Sequence, residues 1–303
     1  MDPLAIDRMF DSIVREGLEE KAPAVLYHYT TWGGADGILS AQHFRATAHH
    51  STNDPAELST ADDVIVGVAG DLMAQASGVP QTVLQLFIDG YSAMRVGRLM
   101  TVYLACFSAA RDDPDQWRKY GDGGRGLCLG VRILDEPGPK SPDLGSGLLK
   151  VDYSETSWRQ KLKVNFRQIL SFLEKVTPAR RNIELGLNAL YRIAAFAAIA
   201  AKREQWAVEQ EYRHVTLLHK DARAEPKWRE SNGKRIPYLE VRLRDGGRRI
   251  ALAEIIIGPS QDAAGATERV QAILDKAGYH VGEMESPNIV VSSVEPGVAT
   301  GSD

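Results

Sequence analysis

The sequence predicts an α+β protein, in which a mixed β-core is interrupted by two helical blocks. Strand-like apolar runs recur along the chain, and the clearest is the uninterrupted run Leu99–Phe107. Stretches near residues 59–98 and 155–203 show instead the apolar spacing of amphipathic helices. Because helices and strands do not alternate regularly, the pattern favours a strongly bent sheet of about six to eight strands over a parallel βαβ sheet.

Composition indicates one large domain with an ordinary core. The chain has 303 residues, of which 44% are hydrophobic and 25% are charged. No internal repeat or low-complexity linker interrupts it, so we expect residues 1–296 to form a single domain and 297–303 a flexible tail. The net charge of -4 argues against broad, charge-driven binding of nucleic acid but leaves room for a local basic groove.

Neither metal chemistry nor membrane insertion is indicated. The cysteines, Cys106 and Cys128, each lie inside an apolar run, where we expect buried side chains. They show no disulfide framework and no metal-ligand spacing. The longest uncharged apolar run, Ile193–Ala201, is too short to span a bilayer, and the acidic N-terminus is unlike a signal peptide. We therefore expect a cytoplasmic protein without a metal or a membrane partner.

The stretch Val25–Leu58 has the features of either a binding cleft or a core strand. His28 ends a short apolar run and is followed by a tyrosine and two threonines. After a short helical pattern, His43–Thr47 is predicted to be a second strand, and the turn Asn53–Pro55 can start a helix. A histidine beside hydroxyls and facing a polar turn is typical of a cleft. A core histidine and a solvated turn would explain the same residues.

Helices are expected on both sides of this stretch, before a buried strand. Amphipathic spacing predicts a helix over Leu4–Leu18 and further helices over about 60–76 and 80–98. The run Leu99–Phe107 that follows is apolar and rich in β-prone residues. It is therefore predicted to be a buried strand.

A glycine-rich loop, Gly121–Gly126, separates a predicted short helix, Asp115–Tyr120, from the predicted strand Leu127–Ile133. Its backbone N–H groups could cradle a phosphate. It is not a P-loop, since no Gly-Lys-Ser/Thr follows, and not a dinucleotide-binding fingerprint, since a strand follows it. A tight connection between strands is the alternative interpretation.

The second half of the chain begins with a loop over Glu136–Gly147 and a strand over Leu148–Tyr153. Helices are predicted over Glu155–Val176 and from Thr177 onward. Near the C-terminus, Asp245–Gly247 is a hairpin signal. The last predicted elements are the strands Ile236–Leu243 and Ile250–Ile257 joined by that hairpin, a helix over Ala263–Ala277 and a strand over Ile289–Val291.

The run Trp206–Leu218 is predicted to be a strand with charged residues on one face. Glu209, Glu211 and Arg213 occupy alternate positions, which point to the same side of a strand. Two carboxylates and a guanidinium there are costly unless they are paired, solvated or used. An edge strand with a solvated ladder of charges and a strand that lines a cleft both fit, and we favour the cleft.

Three separated blocks resemble the bacterial family called domain of unknown function 2971. They are Tyr27-His28-Tyr29-Thr30 with Gly37-Ile38-Leu39 and Asn53-Asp54-Pro55, the run from Cys106-Phe107-Ser108 to Gly126, and Glu209-Gln210-Glu211-Tyr212-Arg213. The first is similar to the opening motif of DarT-type toxins and to the Tyr-His-Gly-Thr strand of diphtheria-toxin-like ADP-ribosyltransferases, with Tyr29 in place of the glycine. The third resembles the Glu/Gln-x-Glu element of many ADP-ribosyltransferases.

The resemblance implies an ADP-ribosyltransferase-like bent β-core that cleaves the nicotinamide–ribose bond of NAD. It makes Glu211 the carboxylate that stabilises the oxocarbenium-like ribose and Glu209 the group that orients or deprotonates the acceptor. His28 would bond to a ribose hydroxyl, with help from Thr30. The acceptor, a protein or a nucleic acid, and a role as toxin or phage-defence effector are left open.

The same resemblance assigns further residues to the NAD site. Tyr120 or Trp117 would stack on nicotinamide, and Arg213 or Arg125 would bind the pyrophosphate. The remaining candidates for contact with NAD are Tyr29, Asn53 and Asp54. Two alternatives remain, an NAD glycohydrolase and a catalytically silent nucleotide-binding or sensor module. A silent module would not need Glu211.

The site hypothesis has a geometric consequence. His28, Tyr120 and Glu211 must line a single cleft, although they are far apart in the sequence. If the predicted strand is regular, Glu209 must face the same way as Glu211. The hypothesis of a convergent site fails if Glu211 lies on the opposite side of the sheet from His28.

Overall fold

The computed structural model describes residues 22–52, 57–133, 144–176, 179–219, 225–231, 233–243, 249–280 and 286–297. The predicted helix Leu4–Leu18, the residues Asn53 and Asp54 and the turn Asp245–Gly247 lie outside the described residues. Within the described part, the chain is an α+β structure with one sheet and helices against both of its faces.

The described strands form one mixed sheet. They are β1 (Val25–Thr30), β2 (Phe44–Ala48), β3 (Met100–Ser108), β4 (Leu127–Arg132), β5 (Leu144–Lys150), β6 (Glu211–His219), β7 (Lys227–Ser231), β8 (Lys234–Val241), β9 (Leu252–Ile257) and β10 (Asn288–Val291). Their order is β10-β9-β4-β1-β3-β2-β8-β7, and β6 pairs with β3 and β5. β9 and β10 run parallel, whereas β3 and β6 are antiparallel over their whole length.

Several of the helices begin at a side chain that caps their first turn. The described helices are α1 (Trp32–Ala41), α2 (Asp62–Met73), α3 (Gly78–Tyr91), α4 (Val96–Leu99), α5 (Pro114–Tyr120), α6 (Glu155–Leu173), α7 (Arg180–Ala200) and α8 (Ala263–Lys276). Thr31 caps α1, Asp113 caps α5 and Asp262 caps α8, each by accepting a hydrogen bond from a backbone N–H of the first turn.

The sheet forks along β3. One edge of β3 pairs with β6 from Met100 to Ser108. On the other edge, Ser108 pairs with Tyr27 of β1, while Leu104 pairs with Thr47 of β2. Since β1 and β2 leave the same edge at different points, the sheet divides into two branches. The β1 branch contains β1, β4, β9 and β10, and the β2 branch contains β2, β8 and β7.

His28 lies where the branches separate. Its Nδ1 donates to the carbonyl of Cys106 at 2.9 Å, so this nitrogen carries the proton. Its ring packs against Phe44 of β2 and Phe107 of β3, with centroids 5.2 and 5.6 Å away. Burial lowers the pKa of His28, and the bond to the carbonyl opposes this only in part. The side chain thus supplies a donor to a carbonyl at the fork.

Each face of the sheet supports a separate core. Residues paired across a ladder share a face, and successive residues alternate between faces. Ser108 and Glu211 are paired and define the glutamate face, whereas Phe107 and Tyr212 define the opposite, histidine face. The histidine face packs against α1 and α8 through buried residues such as Leu39.

The two helical blocks pack together on the glutamate face. Helices α2 and α3 from the first block contact α6 and α7 from the second. They share a core that contains Ile65, Phe87, Phe166 and Leu190, and Leu104 of β3 joins it from the sheet. Helix α7 is long and apolar enough to cross a membrane by length and composition alone, but core helices pass the same test, so this is weak evidence of a span.

The α+β class and the mixed sheet are confirmed, but three details are wrong. The sheet has more strands than predicted. Strand β5 begins at Leu144, inside the predicted loop Glu136–Gly147, because it pairs with β6 from Leu144 to Lys150. β8 and β9 do not form a hairpin, since β8 pairs with β2 and β7, and β9 pairs with β4 and β10. Hydrophobic patterning indicates where a strand lies but not which strand it pairs with.

The fork predicts a stability cost for His28→Leu. This change leaves the carbonyl of Cys106 without its donor, and we expect it to lower the free energy of unfolding by about 1–3 kcal/mol. The folded-state pKa of His28 is below the unfolded value, so the wild type should lose stability as pH falls below about 6.5. The variant should lack this part of the pH dependence. Urea unfolding at several pH values measures both effects.

The exposed His50 offers a matched control for that experiment. His50→Leu should leave the free energy of unfolding nearly unchanged. Equal losses in both variants would show that His28 has no special role at the fork.

Candidate functional site

A buried group of charges lies where β6 begins, next to α5 and the end of α7. Lys202 follows α7 and donates from Nζ to Oε2 of Glu209 at 2.5 Å and to Oε2 of Glu211 at 2.8 Å. Both glutamates are buried, and the side chain of Lys202 is 15% exposed. The charge of Glu211 and hydrogen bonds to both glutamates outweigh burial and raise the pKa of Lys202. A shared ammonium therefore balances two carboxylates that would be costly to bury alone.

Both carboxylates reach Lys202 because the residue between them, Gln210, has a left-handed backbone conformation. The chain forms a 3-10 helix over Glu204–Glu209, turns at Gln210 with φ 43°, and enters β6 at Glu211. The hydroxyl of Ser108 donates to the carbonyl of Glu209 at 2.6 Å and fixes the turn against β3. The prediction of one regular strand over Trp206–Leu218 is therefore wrong. The two carboxylates still converge, but through the turn and not through strand alternation.

Glu211 is balanced by two cations. Arg213, which is 0% exposed, donates from Nε to Oε1 of Glu211 at 2.9 Å and from Nη2 to Oε2 at 3.2 Å. Its Nη1 donates to the carbonyl of Ile199. Burial alone would raise the pKa of Glu211, but the charge and hydrogen bonds of Arg213 and the charge of Lys202 lower it to about 2. Glu211 is ionised at neutral pH, and both of its oxygens are bonded to protein cations.

Glu209 is connected to the surface through α5. The hydroxyl of Tyr120 donates to its Oε1 at 2.9 Å, and Nζ of Lys119 lies 3.3 Å from the same oxygen. Tyr120 is 42% exposed, and Nζ of Lys119 lies 4.5 Å from the ring centroid of Trp206. Burial and the charge of Glu209 raise the pKa of Tyr120, so its hydroxyl stays protonated at neutral pH. We call the following residues the ion cluster: Lys119, Tyr120, Lys202, Glu209, Glu211 and Arg213.

Solvent also reaches the glutamate face beside this cluster. Cys106 on β3 is exposed, although Leu104 and Ser108 on the same face are buried. Its thiol forms a hydrogen bond with Glu211 that helps to lower the pKa of that carboxyl. The expectation of a buried Cys106 is wrong, because Leu104 packs in the core of the helical blocks and Ser108 against the turn at Glu209, and Cys106 lies between these two contacts. Cys128 is buried as expected.

His28 does not belong to the ion cluster. Tyr27 is paired with Ser108, and Ser108 with Glu211, so these three residues share the glutamate face. His28 is the next residue along β1 and points to the opposite face. The expectation that His28, Tyr120 and Glu211 line a single cleft is therefore wrong, although Tyr120 and Glu211 lie in the same cluster.

Three further residues predicted to contact NAD are buried and bonded within the protein. Trp117 is 0% exposed, packs edge-on against Tyr29, and donates from Nε1 to Asp112 at 2.9 Å. The hydroxyl of Tyr29 donates to one loop carbonyl and accepts from one loop amide. The guanidinium of Arg213 is held by Glu211. The predicted roles of Trp117 in stacking and of Arg213 in binding pyrophosphate are wrong, and Tyr29 serves the loop that precedes α5.

The glycine-rich loop is a packed connection between strands. The N–H groups of Gly124 and Gly126 donate to the carbonyl of Gly121 at 3.0 and 2.9 Å. A side chain at Gly126 would lie 2.1 Å from the carbonyl oxygen of Thr30, so glycine is needed there for close backbone approach. Arg125 is exposed and bonds within the loop. The structure thus favours the connection over the phosphate cradle, and it places neither Thr30 nor Arg125 against the described ion cluster.

The groups that hold the two glutamates were not identified in the sequence. No sequence motif includes Lys119 or Lys202. The same is true of Tyr153, whose hydroxyl accepts a hydrogen bond from the backbone N–H of Glu211 at 2.9 Å. The sequence feature that could have indicated Lys202 is its position between an apolar helix and a segment with several glutamates. Among the described residues, no group of three or more His, Cys, Asp or Glu side chains is arranged to hold a metal.

The fold and the site define an α+β protein with an ion cluster on one face of a forked sheet. Residues 116–214 match the model of a family described as protein of unknown function (DUF2971). The predicted relationship to this family is confirmed over that segment, about a third of the chain, and the segment contains the whole ion cluster. No curated protein and no solved structure matches the chain.

The cluster predicts a large loss of stability for Lys202→Met. The change leaves Glu209 and Glu211 without their shared cation, and we expect the free energy of unfolding to fall by about 3 kcal/mol. Lys119→Met is the matched control, because Lys119 contacts Glu209 alone of the two and its side chain is more exposed. It should cost about 1 kcal/mol or less. Urea unfolding followed by circular dichroism compares them, and equal small losses would contradict the central position of Lys202.

Proposed function

We propose that this protein is an NAD-dependent ADP-ribosyltransferase whose reaction centre is the ion cluster. The observation that carries the proposal is the hydrogen bond of 2.9 Å from the Tyr120 hydroxyl to Glu209. It joins two of the three blocks that resemble the family, at a point where a buried carboxylate meets an exposed aromatic side chain. The forked sheet is compatible with the bent β-core that the resemblance implies.

The proposed chemistry needs a fixed carboxylate beside the ribose of NAD. When the nicotinamide–ribose bond breaks, the pyridinium takes both bonding electrons and leaves as neutral nicotinamide, and positive charge develops at C1′. The acceptor then bonds to C1′ and gives its proton to a base. A preorganised carboxylate stabilises this cationic transition state more than the ground state.

Glu209 is better placed than Glu211 for this role. Both oxygens of Glu211 are bonded to Arg213 or Lys202. Glu209, in contrast, has one oxygen whose partners, Tyr120 and Lys119, extend to the surface. We therefore reverse the roles expected from the sequence. Glu209 faces the developing cation, and Glu211 positions Lys202 and through it Glu209.

The exposed members of the cluster supply the binding groups. The ring of Tyr120 offers a stacking surface for nicotinamide. The ammonium of Lys119 can meet the pyrophosphate, with Trp206 beneath it. NAD serves as the substrate, and a protein or nucleic-acid acceptor receives the ADP-ribose. We place this reaction in the cytoplasm, as the sequence suggests.

One observation favours a second candidate, a catalytically silent module that binds a nucleotide. The charges of Glu209 and Glu211 are met by those of Lys119, Lys202 and Arg213, a pattern that also suits a purely structural cluster. In a silent module, the exposed aromatic and cationic rim would bind a nucleotide, and the carboxylates would hold the rim in place.

Glu209→Gln distinguishes these functions. It keeps the side-chain shape and removes the charge, so nicotinamide release from NAD should fall by about a hundredfold. Chromatography of free nicotinamide measures the rate. Glu254→Gln is the matched control, because Glu254, like Glu209, accepts a hydrogen bond from a tyrosine hydroxyl, that of Tyr27, and is paired with a cation, Arg111. It belongs to a separate cluster and should leave the rate unchanged.

Other outcomes lead to different conclusions. Nicotinamide release without transfer of label from NAD to any acceptor identifies an NAD glycohydrolase. NAD binding without release supports the silent module. Full activity of Glu209→Gln together with loss in Glu211→Gln would return the catalytic role to Glu211, and full activity in both variants would reject the ion cluster as the reaction centre.

A further inference from the structure

The β2 branch exposes a basic surface outside the segment that matches the family. The register of β2, β8 and β7 and the alternation of side chains place five cations on one side of this branch. They are Arg45, Lys227, Arg229, Lys234 and, directly after β8, Arg242. All except Arg229, which is partly buried, are exposed. We call this surface the basic face.

The basic face holds more positive charge than nearby acids balance. Within these three strands, the carboxylate on this side is that of Glu240, which accepts from Lys227 at 2.6 Å. Among the described residues, Arg229, Lys234 and Arg242 form no ion pair, and the buried Nε of Arg229 has no hydrogen-bond partner. The chain as a whole has a net charge of -4. The excess of cations is therefore local and suits an anionic partner.

The spacing of the cations is that of a pleated sheet. Alternate residues along a strand lie about 6.7 Å apart, and neighbouring strands about 4.8 Å apart. The basic face is thus an open grid of positive charges and not a pocket for one anion. A polymer with one negative charge in each repeat can contact several of these cations at once, whereas acidic side chains of a folded protein are rarely so regular.

An aromatic ring lies within this grid. The guanidinium of Arg45 lies over the ring of Tyr238, 5.1 Å from its centroid. The ring of Tyr238 is itself buried, so it serves as a platform beneath Arg45, and the exposed guanidinium of Arg45 offers the flat face on which a nucleobase can stack. A polyanion that also carries flat bases fits this combination better than an anionic lipid surface does.

We propose that the basic face binds a single-stranded nucleic acid, with its phosphates on the cations and a base near Arg45 and Tyr238. An unpaired strand is favoured because only unpaired bases offer their faces to a flat group such as the Arg45 guanidinium, and because the surface is only three strands wide. The proposal does not depend on NAD chemistry, since the basic face shares no residue with the ion cluster.

The test uses the full chain and fluorescein-labelled oligonucleotides of about 20 nucleotides, as RNA, single-stranded DNA and duplex DNA. Fluorescence anisotropy at several salt concentrations gives the dissociation constant Kd and its salt dependence. Lys227→Gln, Arg229→Gln and Lys234→Gln are combined in one variant. Its Kd for single strands should rise by about one to two orders of magnitude, and the salt slope should fall by about 0.7 for each cation removed.

A second triple variant controls for net charge. Lys163→Gln, Arg167→Gln and Lys175→Gln remove the same charge from α6 and the residues just beyond it, and Kd should stay within about twofold of wild type, since these cations make no phosphate contact in the proposal. Arg235→Gln removes one exposed cation from the opposite face of β8 and should have as little effect. Thermal unfolding confirms that the variants are folded. Lys234→Gln alone, at an exposed position, should give a smaller change in the same direction.

Several results would overturn the proposal. These are no binding by the wild type at low salt, equal weakening by both triple variants, or tighter binding of duplex DNA than of single strands. Stronger binding to anionic phospholipid vesicles or to an acidic peptide than to the oligonucleotides would assign the basic face to a different partner. A difference between the RNA and DNA arms would instead define which nucleic acid is bound.

Discussion

The ammonium of Lys202 is the contact on which the organisation of the glutamate face depends. It joins the end of the helical block to the beginning of β6, and through Glu209 it reaches α5. Two carboxylates held this close repel each other and lose hydration on burial, so burying both is costly without compensating charge. Because Lys202 and Arg213 supply that charge, the low pKa of Glu211 and the convergence of α5 with the segment from Lys202 to Arg213 have one physical cause.

The fork in the sheet creates a similar need to compensate polar groups, in this case those of the backbone. A strand that loses its neighbour exposes hydrogen-bonding groups that must find other partners. At the fork His28 meets this need with its side chain, and two phenylalanine rings enclose it. A histidine next to hydroxyls therefore has a structural explanation here. The features that suggested a ligand contact, a polar ring at a strand and an open neighbourhood, also arise where a sheet divides.

The sequence predicted most strands and helices well, but it predicted poorly which strands pair and which side chains meet. Apolar runs and amphipathic spacing predicted the strand Leu99–Phe107 and both helical blocks, because burial and local propensity act within one segment. The pairing of β9 with β4, and not with β8, depends on contacts between distant segments that periodicity does not encode. At the candidate site, Tyr120 was expected from the resemblance and the two glutamates from their alternation, and the structure brings these three residues into one cluster. Lys202 was not expected, since a single lysine has no pattern until the fold gives it partners.

Burial explains how the two charged regions of the molecule differ. In the ion cluster, each carboxylate has at least one cation within hydrogen-bonding distance, because dehydrated charge is tolerated only when it is compensated. On the basic face all of the cations except Arg229 are exposed, keep their hydration and need no such balance, so an excess can persist at little cost. An excess held in water is available to a partner, whereas a balanced, buried cluster is available only where it reaches the surface. In the ion cluster Tyr120 and Lys119 extend to the surface, so the ligand that we propose for the cluster would approach along α5, whereas the proposed polyanion would approach along the β2 branch.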